Sequence, residues 1–270
     1  MTDGALQGQV AFITGAGSGL GAAFARRLAS DGARVIVNDI DPDSAAATAI
    51  AVNGDSSVFD VCDSVAFDAE VDKAVERHGR LDIMVNNAGI APTMDDGRFE
   101  RALTNQLLRV EGKCDQMAPY NYLVELTDAD WDRMIRVHLY GAFYGTRAAL
   151  RHMQPARRGA IVNISSILGQ LPSSGTAHYS AAKAGIIALS KSAALETAHL
   201  GIRINAVCPG YFDTPLLAPA NDMMRAAITM RIANGRMGQA AELAELVRFL
   251  AGPESSYCTG DVFTASGGYA

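Results

Sequence analysis

The sequence predicts an α/β protein, a single doubly wound parallel sheet with helices on both faces. Three observations carry that prediction. Short apolar runs of strand type alternate with helical stretches along most of the chain, as crossover-connected parallel strands do. A glycine string, Gly15-Ala16-Gly17-Ser18-Gly19-Leu20-Gly21, separates the first strand run from the first helical one. A composition of 49% hydrophobic and 19% charged residues over 270 positions supplies a substantial core. The expected organisation is one domain over 1–270, with no internal repeats and no low-complexity segments.

Gln9 to Thr14 forms the first strand, and Leu20, Ala23, Phe24, Arg27 and Leu28 mark the helix after the glycines, which Gly32 closes. Glycine lets the backbone approach a pyrophosphate, and free N–H groups at the helix start favour an anion. Strand, glycines and helix in that order form a dinucleotide-binding signature of the Rossmann type. A second strand, Arg34 to Asn38, ends at Asp39, about 20 residues past the glycines, where a carboxylate accepts hydrogen bonds from an adenosine ribose. That carboxylate repels a 2′-phosphate. Ser18 and Ile40, which flank the same pocket, offer no basic group, so NAD is expected rather than NADP.

Asp43 to Val52 reads as helix, followed by a third strand ending at Asp60-Val61. Ser64 to His78 is helical with Val65, Val71 and Val75 on its apolar face, and Leu81 to Val85 is a fourth strand running into Asn86-Asn87-Ala88-Gly89. Thr127, with Asp130 three residues on, caps a long helix carrying Trp131, Met134, Tyr144 and Met153 toward the core. Ala160 to Ile164 is a strand leading to Ser166. The helix over Gly175 to Ala198 carries Tyr179-Ser180-Ala181-Ala182-Lys183, in which the phenol and the ammonium share one face. Beside an ammonium, and beside an oxidised nicotinamide, the phenol should ionise more easily and serve as a general acid/base. Arg203 to Val207 is a strand, Pro215 to Arg236 a Met- and Leu-rich segment suited to an apolar substrate, Ala240 to Leu250 a helix and Asp261 to Thr264 the last strand.

A net charge of -6 argues against a nucleic-acid surface. No apolar run is long enough to cross a bilayer, and the first residues lack the regions of a signal peptide. Cys62, Cys114, Cys208 and Cys258 have no metal-ligand spacing. Reduced thiols, a cytoplasmic location and no metal are expected.

Taken together, TGAGSGLG (14–21), Asp39, Asp60-Val61, NNAG (86–89), Ser166, YSAAK (179–183) and PGYFDT (209–214) resemble the short-chain dehydrogenase/reductase family, in family order and over nearly the whole chain. The resemblance implies that Gly15, Ser18, Gly19 and Leu20 hold the pyrophosphate and that Asp39 holds the adenosine ribose. It implies that Asp60 and Val61 meet the adenine and that Asn87, Ala88 and Gly89 line the cleft. It further implies that Pro209, Gly210, Phe212 and Thr214 position the carboxamide. Lys183 would bond the nicotinamide ribose, Ser166 would orient the substrate oxygen and Tyr179 would transfer the proton. The implied activity is NAD(H)-dependent interconversion of a secondary alcohol and a ketone by a homotetramer. The substrate is a 3-oxoacyl thioester, a steroid-like or other hydrophobic ketone, or a small hydroxy compound. No basic patch for an acidic carrier protein is evident. A binder that senses NAD without turnover is the alternative, against which Ser166, Tyr179 and Lys183 speak.

Two departures stand out. Val137-His138-Leu139-Tyr140-Gly141 carries a histidine where relatives usually have asparagine, at a helix distortion whose carbonyl holds a relay water. His138 either serves that relay, with a titration near neutrality, or is a buried structural histidine. The second is an insertion at about 92–122, with Phe99, Leu103, Leu107 and Val110 at helical spacing. It is expected to be a docked amphipathic helix, as a surface or subunit contact or as a pocket wall.

Overall fold

The computed structural model describes residues 4–92, 97–218 and 220–269, with the side chains of Arg98 and Phe99 outside that description. Among the described residues seven parallel strands form one sheet in the order β3-β2-β1-β4-β5-β6-β7. They are β1 (Val10–Ile13), β2 (Arg34–Asp39), β3 (Asp55–Val58), β4 (Ile83–Asn86), β5 (Gly159–Ile164), β6 (Ile202–Pro209) and β7 (Val262–Ala265). The chain runs outward from β1 to β3, then returns to β4 on β1's other side. That reversal opens a crevice at the carboxyl ends of β1 and β4, the place where doubly wound sheets bind ligands.

Successive strand residues face opposite ways, so each strand feeds two cores. Ala11, Ile13, Val35 and Val37 join Phe24 and Leu28 of α1 (Gly19–Ser30) and Leu243, Val247 and Leu250 of α9 (Ala240–Ala251). Val10, Phe12 and Ile36 join Phe67 and Val71 of α3 (Ser64–His78), Ala149 and Met153 of α6 (Gly141–Ala156) and Ala194 of α7 (Ala177–Thr197). The remaining helices are α2 (Pro42–Ala51), α4 (Arg98–Val110), α5 (Asp128–Ile135) and α8 (Asp222–Met230).

Several sequence expectations need correction. β3 ends at Val58, two residues short of Asp60, because Phe59 leaves the ladder to pack on Phe67. Val65 is 76% exposed, and Phe67, Val71 and Ala74 form the buried face of α3. Trp131 is largely outside the core whereas Met134 and Met153 are inside it. On α4, Leu107 and Val110 are exposed, and Asn105 is its fully buried side chain among those described. Among the described residues, polar closure ties this helix to the segment that follows it. Asn105 Nδ2 donates to the Ala118 carbonyl (2.8 Å), Ala118 N–H donates back to Asn105 Oδ1 (3.0 Å), and Arg101 donates to the Tyr120 carbonyl (3.0 Å). Phe99 of the expected apolar face lies outside the described residues.

The Thr127 cap forms as expected, with Asp130 N–H donating to its hydroxyl at 3.1 Å. Between α5 and α6, residues Arg136–Tyr140 make a π-helical turn centred on His138. The helix distortion expected at this position is therefore present with histidine in it.

Candidate active site

The glycine loop is shaped by close backbone approach. Gly15 and Gly19 have φ of 60° and 53°, in the left-handed region that L side chains rarely adopt. A Cβ on Gly15 would lie 2.7 Å from Ala88 Cα, and one on Gly21 would collide with the Gly15 carbonyl oxygen. The NNAG segment is tied to this loop: Asn87 Nδ2 donates to the carbonyls of Thr14 (3.0 Å) and Gly15 (2.9 Å), and the Asn87 and Ala88 N–H groups donate to Thr14 Oγ1. The N-cap of α1, Ser18, makes no side-chain cap bond and the first turn holds no acidic residue. Its N–H groups are open to an external anion, which fits a pyrophosphate.

Asp39 sits at the carboxyl end of β2, where its Oδ2 accepts the Gly17 N–H at 2.9 Å and its Oδ1 accepts the Asp41 N–H at 3.2 Å. Both oxygens keep further lone pairs for a ribose diol. Ile40 beside it is exposed. Asp60 accepts the Cys62 N–H (2.9 Å) and Val61 is buried, so the two expected adenine neighbours present a carboxylate and an apolar wall. Pro209, Gly210, Phe212 and Thr214 leave the end of β6 and fold across the glycine loop, so that a Cβ on Gly19 would lie 3.7 Å from both Thr214 and Pro215.

The second half of the cleft centres on α7. A buried polar chain sets its height against the sheet. Asn86 Nδ2 donates to Asn163 Oδ1 (2.7 Å), Asn163 Nδ2 donates to Ser190 Oγ (2.9 Å), and Ser165 Oγ donates to the Lys183 carbonyl (2.7 Å). Ser166 Oγ accepts the Leu168 N–H at 3.1 Å and also hydrogen-bonds the Tyr179 phenol. Lys183 Nζ donates to the Ile164 carbonyl at 2.9 Å and lies 5.6 Å from the Tyr179 ring centre. Ser166, Tyr179 and Lys183, distant in sequence, are thus one cluster at the end of β5.

Burial governs the charges here. It pushes the Lys183 ammonium down from 10.5 to about 7. It pushes the Tyr179 phenol above its ordinary value, against a smaller lowering by Ser166. The expected easier ionisation rests on an oxidised nicotinamide as well as on Lys183; within the protein alone, burial is the dominant effect on the phenol.

All the site residues expected from the sequence, from Gly15 and Asp39 to Ser166, Tyr179 and Thr214, line one cavity of about 1450 Å³. Two family models divide the chain between them: one described as short chain dehydrogenase matches residues 9–113, and one described as Enoyl-(Acyl carrier protein) reductase matches residues 114–270. The chain belongs to the short-chain dehydrogenase/reductase family. It is 37% identical to the 3-oxoacyl-[acyl-carrier-protein] reductase FabG of Thermotoga maritima, over 97% of this chain and 98% of that protein. It is 40% identical to the cis-4-hydroxycyclohexanecarboxylate dehydrogenase of Sinomonas cyclohexanicum, over 97% and 96%. Among solved structures, one described as ribose-5-phosphate isomerase from Brucella melitensis 16M superposes with a TM-score of 0.83 at 34% identity, covering 97% of this chain and 92% of that one. The protein is thus an oxidoreductase of the short-chain family, whose members bind a nicotinamide dinucleotide. Among the described residues no helix is long and apolar enough to cross a membrane, and no group of His, Cys, Asp or Glu suits a metal ion.

In this short-chain enzyme His138 is buried, and its ring stands edge-on to Tyr179, with centroids 5.2 Å apart. Burial, reinforced by the Lys183 charge, holds it well below the ordinary histidine value, which favours the neutral imidazole and speaks for the buried structural role. Its Nε2 lies 3.2 Å from the Ile90 nitrogen and 3.0 Å from the Ile90 carbonyl oxygen, while Nδ1 has no hydrogen-bond partner among the described residues. One imidazole nitrogen is either donor or acceptor. Nε2 therefore satisfies only one of the two Ile90 groups, where an amide side chain would satisfy both.

Several further groups line the cavity beside the residues expected at the site. Tyr211, inside the PGYFDT motif, stands 5.1 Å ring to ring from Tyr269, a residue of the chain's last turn. From the insertion, Ala102, Gln106, Arg109, Tyr120 and Tyr122 line the cavity, and Tyr122 packs on Gly175 just before Tyr179. This stretch thus contributes to the cavity wall, while Leu107 and Val110 on the same helix are exposed. In the Met-rich segment, Met224 and Ile228 face the cavity while Met223 and Met230 are exposed.

Proposed function

We propose that the protein is an NAD(H)-dependent oxidoreductase that interconverts a secondary alcohol and a ketone, with Tyr179 as general acid/base. The clustering of Ser166, Tyr179 and Lys183 at the open end of the dinucleotide cleft carries this reading. Bound NADH supplies the hydride. In reduction Ser166 Oγ donates a hydrogen bond to the carbonyl oxygen and Tyr179 Oη gives it a proton, leaving a phenolate. In oxidation Tyr179 takes the proton back. Lys183, held by the Ile164 carbonyl and pulled by burial down to about 7, stabilises that phenolate in its charged form. His138, held on Ile90 within the π-turn and below its ordinary histidine value, acts through position rather than titration.

Asp39 supports NAD over NADP, because its carboxylate, fixed at the end of β2 by the Gly17 and Asp41 N–H groups, would accept from a ribose diol and repel a 2′-phosphate. Ile167, Leu168, Tyr211 and Ile228 make an apolar substrate wall, which suits a ring ketone or acyl chain. The Sinomonas relative, a dehydrogenase of a cyclohexanol carboxylate, and the FabG relatives suit the same chemistry. A homotetramer, which the family resemblance implies, belongs to the same proposal.

The deciding experiment measures NADH and NADPH oxidation over cyclic ketones and 3-oxoacyl thioesters, for the wild type and Tyr179→Phe. Turnover with NADH that falls about 10³-fold or more in Tyr179→Phe, with NADH affinity unchanged, is expected. Full activity of Tyr179→Phe would remove Tyr179 from the proton step.

A further inference from the structure

The first turn of α7 borders two cavities. The reaction cavity takes Tyr179 from that turn, and a second cavity of about 370 Å³ takes Ala177 and His178 from it, with Leu126 beside them. Tyr120, Tyr122, Ser173, Ser174 and Gly175 line both spaces. The two cavities therefore share one wall, made by the end of the insertion and by the loop that enters α7. Of those five residues Tyr122 alone is buried, at 8% exposure.

The chain holds the Tyr122 ring in that wall from both sides. Gly175 forms its seat: a Cβ there would lie 3.2 Å from Tyr122 Cδ2 and 3.4 Å from Cε2, and the residue has φ of 83°, so glycine is required twice over. The seat is itself fixed, because Thr176 Oγ1 donates to the Ser173 carbonyl at 2.8 Å and lies 2.9 Å from Ser180 Oγ. On the insertion side Arg101 donates to the Tyr120 carbonyl. The next residue, Asn121, has φ of 55°, a left-handed conformation that asparagine adopts more readily than most residues. Across that bend the Tyr120 and Tyr122 rings stand 5.3 Å apart, centre to centre. A non-glycine residue held at positive φ beside a cavity is a cost that functional sites often carry.

We propose that Tyr122 is a specificity-determining residue: its ring is a partition that closes the reaction cavity at the first turn of α7 and keeps the distal group of a ketone out of the second cavity. That second cavity falls within the roughly 300–1,000 Å³ of ordinary ligand pockets, and Leu126 and Ala177 give it an apolar side suited to a hydrocarbon ring. With the ring in place, a ketone that extends toward α7 is excluded by bulk alone. The proposal rests on the function proposed above and adds the residue that limits substrate size. It also gives the end of the insertion a purpose, since this stretch delivers the partition.

The test measures kcat/KM with NADH for cyclohexanone and for 4-phenylcyclohexanone, and reads the ratio of the second to the first. Tyr122→Ala, which joins the two cavities, should raise that ratio about tenfold or more, the scale on which apolar pockets discriminate by size. Tyr122→Leu, a smaller cut that spares the fold, should raise it in the same direction. Tyr122→Phe keeps the ring and should keep the wild-type ratio. A ratio that stays constant in Tyr122→Ala and Tyr122→Leu, including through equal losses on both ketones, would overturn the partition and leave Tyr122 a packing residue. A ratio raised as much by Tyr122→Phe would overturn it too, by assigning the effect to the hydroxyl. Absence of turnover of either ketone by the wild type concerns the proposed function instead. The crystal structure of Tyr122→Leu then decides: one continuous cavity supports the partition, and collapse of the 173–175 loop into the vacated space sinks it.

Discussion

The two ends of the cleft are built by opposite means. At the dinucleotide end the backbone does the shaping: glycines bring main chain within contact of main chain, Asn87 and Thr14 lock neighbouring strands, and Asp39 is oriented by the Gly17 and Asp41 N–H groups. At the substrate end side chains from five separate segments meet: Tyr122 from the insertion, His138 from the π-turn, Ser166 after β5, Tyr211 after β6 and Tyr269 at the chain's end. A surface made of backbone tolerates almost no added atom. A wall made of side chains adjusts, and is where specificity changes at low cost to the fold.

That contrast is sharpest at Gly21. Its Cβ would overlap the Gly15 carbonyl oxygen, so Gly21→Ala should cost more than about 3 kcal/mol or abolish dinucleotide binding outright. Denaturant melts with and without NADH read both effects, and a stable, NADH-binding Gly21→Ala protein would break the comparison. Next in size is Asp39→Ala, which should reduce the preference for NADH over NADPH by about tenfold or more, measured as a ratio of kcat/KM. An unchanged ratio would move cofactor choice to another group.

Gly89 joins the two ends, since a Cβ there would lie 2.5 Å from His138 Cε1. Gly89→Ala should destabilise the protein by about 1–3 kcal/mol in the native background and by clearly less in His138→Asn, a coupling that a double-mutant cycle measures. Additive costs would show that the ring is not what Gly89 avoids. His138→Asn alone should be the smaller change. It satisfies both Ile90 groups and removes an unpaired buried Nδ1, so stability should hold or rise by about 1 kcal/mol, with the bell of the pH–rate profile unmoved.

Lys183 provides the pH-dependent term. Its folded value of about 7 lies below its ordinary 10.5, so between those limits the unfolded chain binds more protons. Its contribution therefore penalises the fold fully below about pH 7 and the penalty fades as pH rises toward 10.5. The stability difference between Lys183→Met and wild type should accordingly be largest near pH 6 and shrink by pH 10, in ligand-free protein. A constant difference would place the ammonium in water.

Much of this was legible beforehand for identifiable reasons. The helix Ser64–His78, the Thr127 cap and the parallel sheet follow from local periodicity and capping chemistry, which the chain carries within a few residues. The errors have physical causes too. Val65 and Trp131 fit an apolar stripe but stay mostly and partly exposed respectively, and on α4 it is Asn105 that is buried while Leu107 and Val110 are exposed.

By itself the sequence determined the order of strands and helices, the glycine loop, the position of Asp39 and the shared face of Tyr179 and Lys183, because each depends on contacts between residues near in the chain. Only the tertiary structure decided that burial pulls Lys183 down to about 7, that His138 is held well below the ordinary histidine value, and that residues of the 97–122 stretch line the same cavity as Tyr179. Those outcomes are set by desolvation and by long-range packing, and neither has a local signature for the sequence to display.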